Sequence, residues 1–500
     1  MVLVENTSAP IKIIILNNKK GQVEVTDPTI ISFLKKGLSY KQPGVEFTPA
    51  FQRGWKGITC LLAKNNTFDI ALLFKVKQIL SKNWIPFEVE DRRPAKVIAQ
   101  PLDIAPKLKA MNMVPRDHQV RIANMIHASD KGICRAVTSS GKTLSMGMIV
   151  AELNKPTIVF VIGLDSLEQF HDLFTEIFDE PIGWVGDGRC DIQRITIMSI
   201  WSAGKALGIK KITEEDEDIK EKDVSNQNKE KIVKALKEAK VALFDECHIV
   251  KCSTITDINK AINPEYMYGF SGTPFPSNKE EDTLPIQAIL GEQLVDVSAT
   301  ELIEKGIIAK PIIKFVSVPK RHGMPEQYQT VYKEYIVENE DRNNLIIENA
   351  KMLMEKKYTP LILFKQINHG KIIAEKLKAE GIDFEMLYGN DSLDKRREIK
   401  NRIADGSLKL LLASTIFDMS VDLPQLNALV LAGSGKSSIR ALQRIGRVIR
   451  ISNSLSYVKK FAAVIDFFDQ CKFLRQHSNA RLQVYNSEKG FQVIKSKEMK

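Results

Sequence analysis

Ser139-Ser140-Gly141-Lys142-Thr143 decides how the rest of this chain is read. An apolar run, Ile133 to Val137, precedes it, and the spacing predicts a helix from Thr143 to Leu153 after it. Backbone N–H groups at the start of a helix cradle phosphate. In such a loop, Ser139, Ser140 and Gly141 supply the cradle, Lys142 reaches the outer phosphates of a nucleotide, and the Thr143 hydroxyl holds Mg2+. The usual pattern, G-x-x-x-x-G-K-[ST], opens on glycine; here that position is Ala136, which is still small. A second match, Gly435-Lys436-Ser437, follows the apolar run Leu429 to Leu431, with Val430 where the first glycine would fall. It reads as a loop after a strand and not as a nucleotide site.

Short apolar runs continue outward from the phosphate loop: Thr157 to Ile162, Ile195 to Met198, Val241 to Phe244 and Tyr268 to Phe270. A second set follows at Leu361 to Phe364, Met386 to Tyr388, Leu408 to Leu412, Leu429 to Leu431 and Ala462 to Phe467. Helical text lies between them. Runs apolar on both faces, alternating with helices, predict parallel sheets covered on both sides. Upstream, residues 1–100 carry 15 Lys/Arg against 8 Asp/Glu, with an amphipathic helix predicted from Ile70 to Leu80. The expected organisation is α/β: a small α+β domain over 1–95, then two parallel-sheet domains in tandem over 96–310 and 311–500.

Composition agrees with this scale. The 500 residues exceed one ordinary core, and 44% hydrophobic with 27% charged residues excludes a disordered or collagen-like chain. The net charge of +11 hints at a polyanionic partner. The six cysteines form no C-x-x-C pair and no zinc spacing, so a reducing cytoplasm is the expected home. No apolar run reaches membrane-spanning length, and no secretory signal opens the chain. Glu214 to Asp218 opens a charged stretch running to about Lys231, which reads as a solvated loop.

Two further motifs carry chemistry. The run Val241 to Phe244 leads into Asp245-Glu246-Cys247-His248. Standing alone, such acids cap a helix. Downstream of a phosphate loop, Asp245 is expected to hold Mg2+ and Glu246 to orient and deprotonate the attacking water. Gln443, Arg447 and Arg450 are spaced i, i+4, i+7, which puts them on one helix face. Arginines presented this way stabilise charge on a transferring phosphoryl group.

Taken together, residues 110–470 resemble a superfamily 2 helicase. Arg116-Asp117-His118-Gln119 is similar to the adenine-reading Q-motif, with Gln119 and Arg116 as cofactor contacts. Asp245 to His248 resembles a DECH motif II, Ser271-Gly272-Thr273-Pro274 motif III, and Gln443 to Arg450 motif VI. Ser199 falls at motif Ic, Lys365 at motif IV and Ser414 at the start of motif V, where the usual glycine is Ser420 and the acid is Asp422. The resemblance implies two RecA-like domains, ATP and Mg2+ as cofactors, and nucleic-acid contact by Ser199, Lys365 and Ser414. Within the superfamily the chain resembles the UvsW-type phage recombination and branch-migration helicases. Phe47-Thr48-Pro49, Phe51 and Gly54-Trp55-Lys56-Gly57 carry that looser likeness. The resemblance implies a monomeric motor on branched, single- and double-stranded DNA, in the host cytoplasm if phage-encoded, with no membrane partner. Phe47, Phe51 and Trp55 are expected in the small domain's core, leaving Arg53 and Lys56 as its DNA contacts. An RNA helicase, a restriction-type double-strand translocase, a P-loop kinase or signalling switch, and a catalytically idle nucleic-acid-binding protein are the rival readings, the last opposed by intact Lys142, Asp245 and Glu246.

Overall fold

The computed structural model describes residues 10–496, apart from 43–44, 48, 210–224, 249–252, 276–278, 321–326, 389–390, 392, 415–424, 434, 436–437 and 452–458. The acidic stretch at Glu214 to Asp218, the motif V positions Ser420 and Asp422, and the pair Lys436-Ser437 lie outside the described residues, as do the side chains of Phe47, Gln443 and Arg447. The chain forms two compact units, one of Met1–Ala136 with Gly141–Asp296, the other of Val137–Ser140 with Val297–Lys500.

Unit 1 begins with a four-stranded sheet in the order Thr67–Asp69, Lys20–Glu24, Ile11–Ile15, Phe87–Asp91. Its first two pairings are antiparallel, and Ile11–Ile15 runs parallel to Phe87–Asp91. The helix Pro28–Gly37 starts where a capping acid and a proline stand together: Asp27 Oδ1 accepts the Thr29 N–H at 2.7 Å. The predicted helix from Ile70 opens with a 3-10 turn, Ile70–Leu72, and continues as the α-helix Leu73–Lys82. Ile13, Leu34, Phe68, Leu72, Val76 and Leu80 form the core. Trp55 is not in it, being 37% exposed, because the core is filled from the sheet and the two helices. Leu284 and Ala288 complete that core from the helix Glu280–Leu290, which belongs to the larger sheet domain of the same unit.

That larger domain carries an eight-stranded sheet in the order Arg189–Asp191, Ile182–Gly186, Ile195–Ser199, Thr157–Val161, Val241–Asp245, Tyr266–Ser271, Lys131–Ala136, Gln293–Val297. The pairings from Ile182–Gly186 through Lys131–Ala136 are parallel. Thr157–Val161 and Ile195–Ser199 are buried at every position, as parallel strands under helices on both faces must be.

Unit 2 holds a seven-stranded sheet in the order Glu385–Leu387, Leu411–Ser414, Pro360–Phe364, Ala428–Leu431, Phe461–Phe468, Lys310–Ser317, Gln492–Lys495. All its pairings are parallel. Helices Glu340–Glu355 and Ile367–Ala379 bury Ile346, Ile373 and Leu377 against Ile362, Phe364 and Leu412. Two parallel-sheet domains preceded by a small α+β domain are the architecture expected from the sequence. Among the described residues, no helix is long and apolar enough to cross a membrane.

Candidate nucleotide site and nucleic-acid contacts

The strand Lys131–Ala136 and the helix Lys142–Leu153 flank the phosphate loop. Gly141 sits at φ +80°, the left-handed region that favours glycine, and a Cβ there would stand 2.2 Å from Gln119 Nε2 and displace that side chain's end. Gln119 is 5% exposed. Its Oε1 accepts the Arg116 N–H at 2.9 Å and its Nε2 donates to the Gly141 carbonyl at 3.3 Å. The residue expected to read adenine is therefore tied to the loop expected to hold phosphate. Arg116 itself is exposed.

Lys142 Nζ donates to Glu246 Oε1 at 3.2 Å. Ser271 Oγ donates to Glu246 Oε2 at 3.2 Å and lies 3.1 Å from His248 Nδ1. Glu246 stands at φ +52°, a left-handed turn that ends the strand Val241–Asp245 and aims its carboxylate back at Lys142. Ser271 ends the neighbouring strand, so parallel pairing of the two strands brings motifs II and III together.

Electrostatics divide the two acids. Burial, and then the charge of Glu246, push the Asp245 carboxyl up to about 6. Burial would raise Glu246 too, but the Lys142 ammonium and the His248 hydrogen bond outweigh it and hold Glu246 well below the usual carboxylate range. Burial works against the Lys142 charge, yet Glu246 and Asp245 outweigh it, and its pKa is raised. Asp245 Oδ1 is buried with no hydrogen-bond partner. An orphaned carboxylate oxygen beside a phosphate loop fits a divalent cation, with Thr143 as the second protein oxygen.

In unit 2, Ser139 Oγ donates to the Gly446 carbonyl at 2.8 Å, and Arg450 Nε donates to Ser139 Oγ at 3.0 Å. A Cβ on Gly446 would meet Thr138 Cβ at 2.4 Å, which explains the glycine inside the arginine motif. The helix Ser438–Val448 carries Gln443 and Arg447, but Arg450 lies past its end in a bridge with Ile308, so the three do not share one helix face as their spacing predicted.

The expected nucleic-acid residues fall into two groups. Arg53, Lys56 and Lys365 are exposed, the last just past the strand Pro360–Phe364. Ser199 is fully buried, its Oγ accepting the Trp201 N–H at 3.2 Å as a helix cap. Ser414 is 3% exposed, its Oγ buried and without a partner. Sequence reasoning gave no role to Arg342, Asp466 or Asp469, and read Arg481 only as part of a basic tail that touches DNA or covers the last domain; all four are buried. One signal was available, an aspartate inside the apolar run Phe461–Phe468, since a charge there needs a partner.

Comparison with known proteins agrees with this geometry. Residues 112–276 match the family model described as Type III restriction enzyme, res subunit, and residues 341–452 match the Helicase conserved C-terminal domain. The ATP-dependent DNA helicase uvsW of Enterobacteria phage T4 is 23% identical over 506 residues, spanning 93% of this chain and 95% of that protein. The DNA 3'-5' translocase XPB2 of Sulfurisphaera tokodaii is 22% identical over 425 residues, 76% of this chain and 87% of the relative. Among solved structures, S. cerevisiae Dbp5 bound to RNA and ADP BeF3 superposes with a TM-score of 0.52 at 11% identity, over 79% of this chain and 93% of that one. That last likeness speaks to the fold alone. With both motor-domain families matched in order over two parallel sheets, the chain belongs to the superfamily 2 helicases and is an ATP-dependent helicase.

Proposed function

We propose that the chain is an ATP-driven DNA motor acting on branched DNA, such as forks, D-loops and Holliday junctions, in recombination, replication or repair. The observation that carries the reading is the cluster of Lys142, Glu246, Ser271 and His248. In it, the acid that activates water is bonded at once to the nucleotide-sensing lysine and to motif III. The near full-length alignment with the T4 protein, whose name specifies DNA, supports the choice of nucleic acid.

The residues act in sequence. With no phosphate present, Lys142 neutralises Glu246 and keeps it a weak base. Nucleotide phosphates compete for Lys142, and Glu246 is left with Ser271 and His248, ready to take a proton from water. Magnesium, when bound, supplies positive charge against the phosphate oxygens, and Asp245 and Thr143 are the residues that would hold it. Gln443, Arg447 and Arg450 stabilise charge on the transferring phosphoryl group. Arg53, Lys56 and Lys365 contact backbone phosphates, giving binding with little sequence preference. The motor works as a monomer in the cytoplasm, that of the host cell if phage-encoded.

The test is ATP turnover measured with single-stranded, duplex, forked and four-way DNA, and with matched RNA. The reading expects strongest stimulation by forked or four-way DNA. Equal or stronger stimulation by RNA would replace DNA with RNA as the track.

A further inference from the structure

We propose that Arg342 and Arg481 are positioning residues that hold the backbone at Ala432 and Gly435, just ahead of the helix Ser438–Val448, so that Arg447 on that helix and Arg450 just past its end are presented in register. The proposal rests on the role assigned above to Arg447 and Arg450.

Both clamps are built alike. Arg481, on the helix Lys472–Ser487, donates from Nε to Asp466 Oδ2 at 2.8 Å and from Nη2 to Asp466 Oδ1 at 3.0 Å. Its remaining arm, Nη1, donates to the Gly435 carbonyl at 3.0 Å. Tyr485 Oη donates to Asp466 Oδ2 at 2.9 Å and holds the carboxylate from the other side. Arg342, on the helix Glu340–Glu355, donates from Nε to Asp469 Oδ1 at 2.8 Å and from Nη1 to the Ala432 carbonyl at 2.6 Å. Each guanidinium is thus neutralised by one acid at the end of the strand Phe461–Phe468 and spends another N–H on the same turn.

Stability alone is a poor reason for two such pairs. Arg342 and Asp466 are 0% exposed, Arg481 and Asp469 3%. Buried ion pairs replaced by apolar side chains of similar volume are often neutral or more stable. What apolar packing cannot supply is a directional hold on two carbonyls three residues apart. Those carbonyls, of Ala432 and Gly435, lie in sequence after the strand Ala428–Leu431 and before the helix Ser438–Val448. Arg447 lies nine residues into that helix, roughly 14 Å along its axis at 1.5 Å per residue. A tilt of about 5° at the turn moves it by about 1 Å, an error that costs on the order of 100-fold in rate at a reacting centre. Arg481 and Tyr485 lie beyond residue 452, where the match to the helicase C-terminal family ends, so the segment after it belongs to the working motor.

The test uses the full chain and separates kcat from KM. Lysine keeps the charge but cannot serve a carboxylate in two arms and a carbonyl at once. Arg481→Lys, alone and with Arg342→Lys, is expected to lower nucleic-acid-stimulated kcat at least about tenfold, with the KM for ATP within about threefold. Leu377→Ala, which cuts the same unit's core elsewhere, is the reference for loss of stability. It is expected to keep kcat per folded molecule at an equal or larger fall in Tm. Wild-type kcat in the lysine variants, or an equal loss in Leu377→Ala, overturns the proposal. Should the lysine variants not fold, Tyr485→Phe decides. A fall of about two- to fivefold in kcat at constant KM supports the clamp, and unchanged kcat refutes it. Arg447→Ala and Arg450→Ala run alongside. If they turn over normally, the arginine assignment itself fails; if they are dead while Arg481→Lys is intact, only the clamp fails.

Discussion

Lys142 and Glu246 are each other's counter-ion at 3.2 Å, and the role proposed for each requires leaving the other. Lys142→Ala is expected to lower ATP turnover by roughly three orders of magnitude, read by phosphate release. Near-normal turnover would remove this loop as the nucleotide site. Glu246→Gln keeps the size and one hydrogen bond but cannot accept a proton. It is expected to bind ATP within several-fold of wild type while kcat falls about 100-fold or more, as filter binding and turnover together would show. Turnover at the wild-type rate would mean that another group is the base. His369 gives a residue-scale prediction about stability. It is fully buried, with Nε2 2.9 Å from Asn343 Oδ1, and burial, then the Arg342 charge, lower its pKa to about 3. A histidine kept neutral by the fold resists protonation that the unfolded chain accepts below about 6.5. Its contribution is therefore complete above that pH and is lost as pH falls from about 6.5 toward 3. His369→Gln should flatten urea-unfolding stability across that window by about 2 kcal/mol or more. An unchanged pH slope would show that other groups govern it. At this scale the sequence was most informative about proximity: Lys142 and Glu246, grouped by the chemistry they would share, do stand together. It was least informative at Ser199, since a serine that caps a helix and one that grips a phosphate are the same letter.

Strands and helices were legible where apolar runs are clean. Thr157–Val161 and Val241–Asp245 stand within a residue of their expected ends. The strand Lys310–Ser317 escaped notice although it pairs on both sides within the second sheet. Pro311 and Lys314 interrupt its pattern, and Lys314 reaches sideways to Asn349 Oδ1 at 3.2 Å, which lets a charge sit in the strand. Ile182–Gly186 was passed over for a related reason: its glycines break the apolar text that marks a strand. The docking of the small domain is a property of elements and left no trace in its own sequence. Leu284, 1% exposed, reaches the small domain's core from the helix Glu280–Leu290. Leu284→Ala is expected to destabilise that region by about 2–4 kcal/mol and to speed proteolysis within residues 10–91. Unchanged proteolysis would mean the contact holds nothing in place.

Over the whole molecule, charge and domain order were legible early, because +11 over 500 residues and fifteen basic residues in the first hundred need no structure to be seen. Their meaning depended on exposure. Arg53 and Lys56 are exposed beside a half-open Trp55, so Arg53→Ala with Lys56→Ala should weaken binding to forked DNA several-fold and flatten its dependence on salt. Equal affinity and an equal salt slope would take the small domain out of DNA binding. Point substitutions are the right tool here, since deleting residues 1–95 would uncover Leu284 and Ala288 and confuse lost binding with lost folding. The shared core also bears on descent. An adaptor whose hydrophobic centre is partly owned by the motor cannot be exchanged by recombination at the linker alone, the junction near residue 95 where the small domain is expected to end. A viable chimera would have to carry the helix Glu280–Leu290, nearly two hundred residues downstream of the linker, along with it.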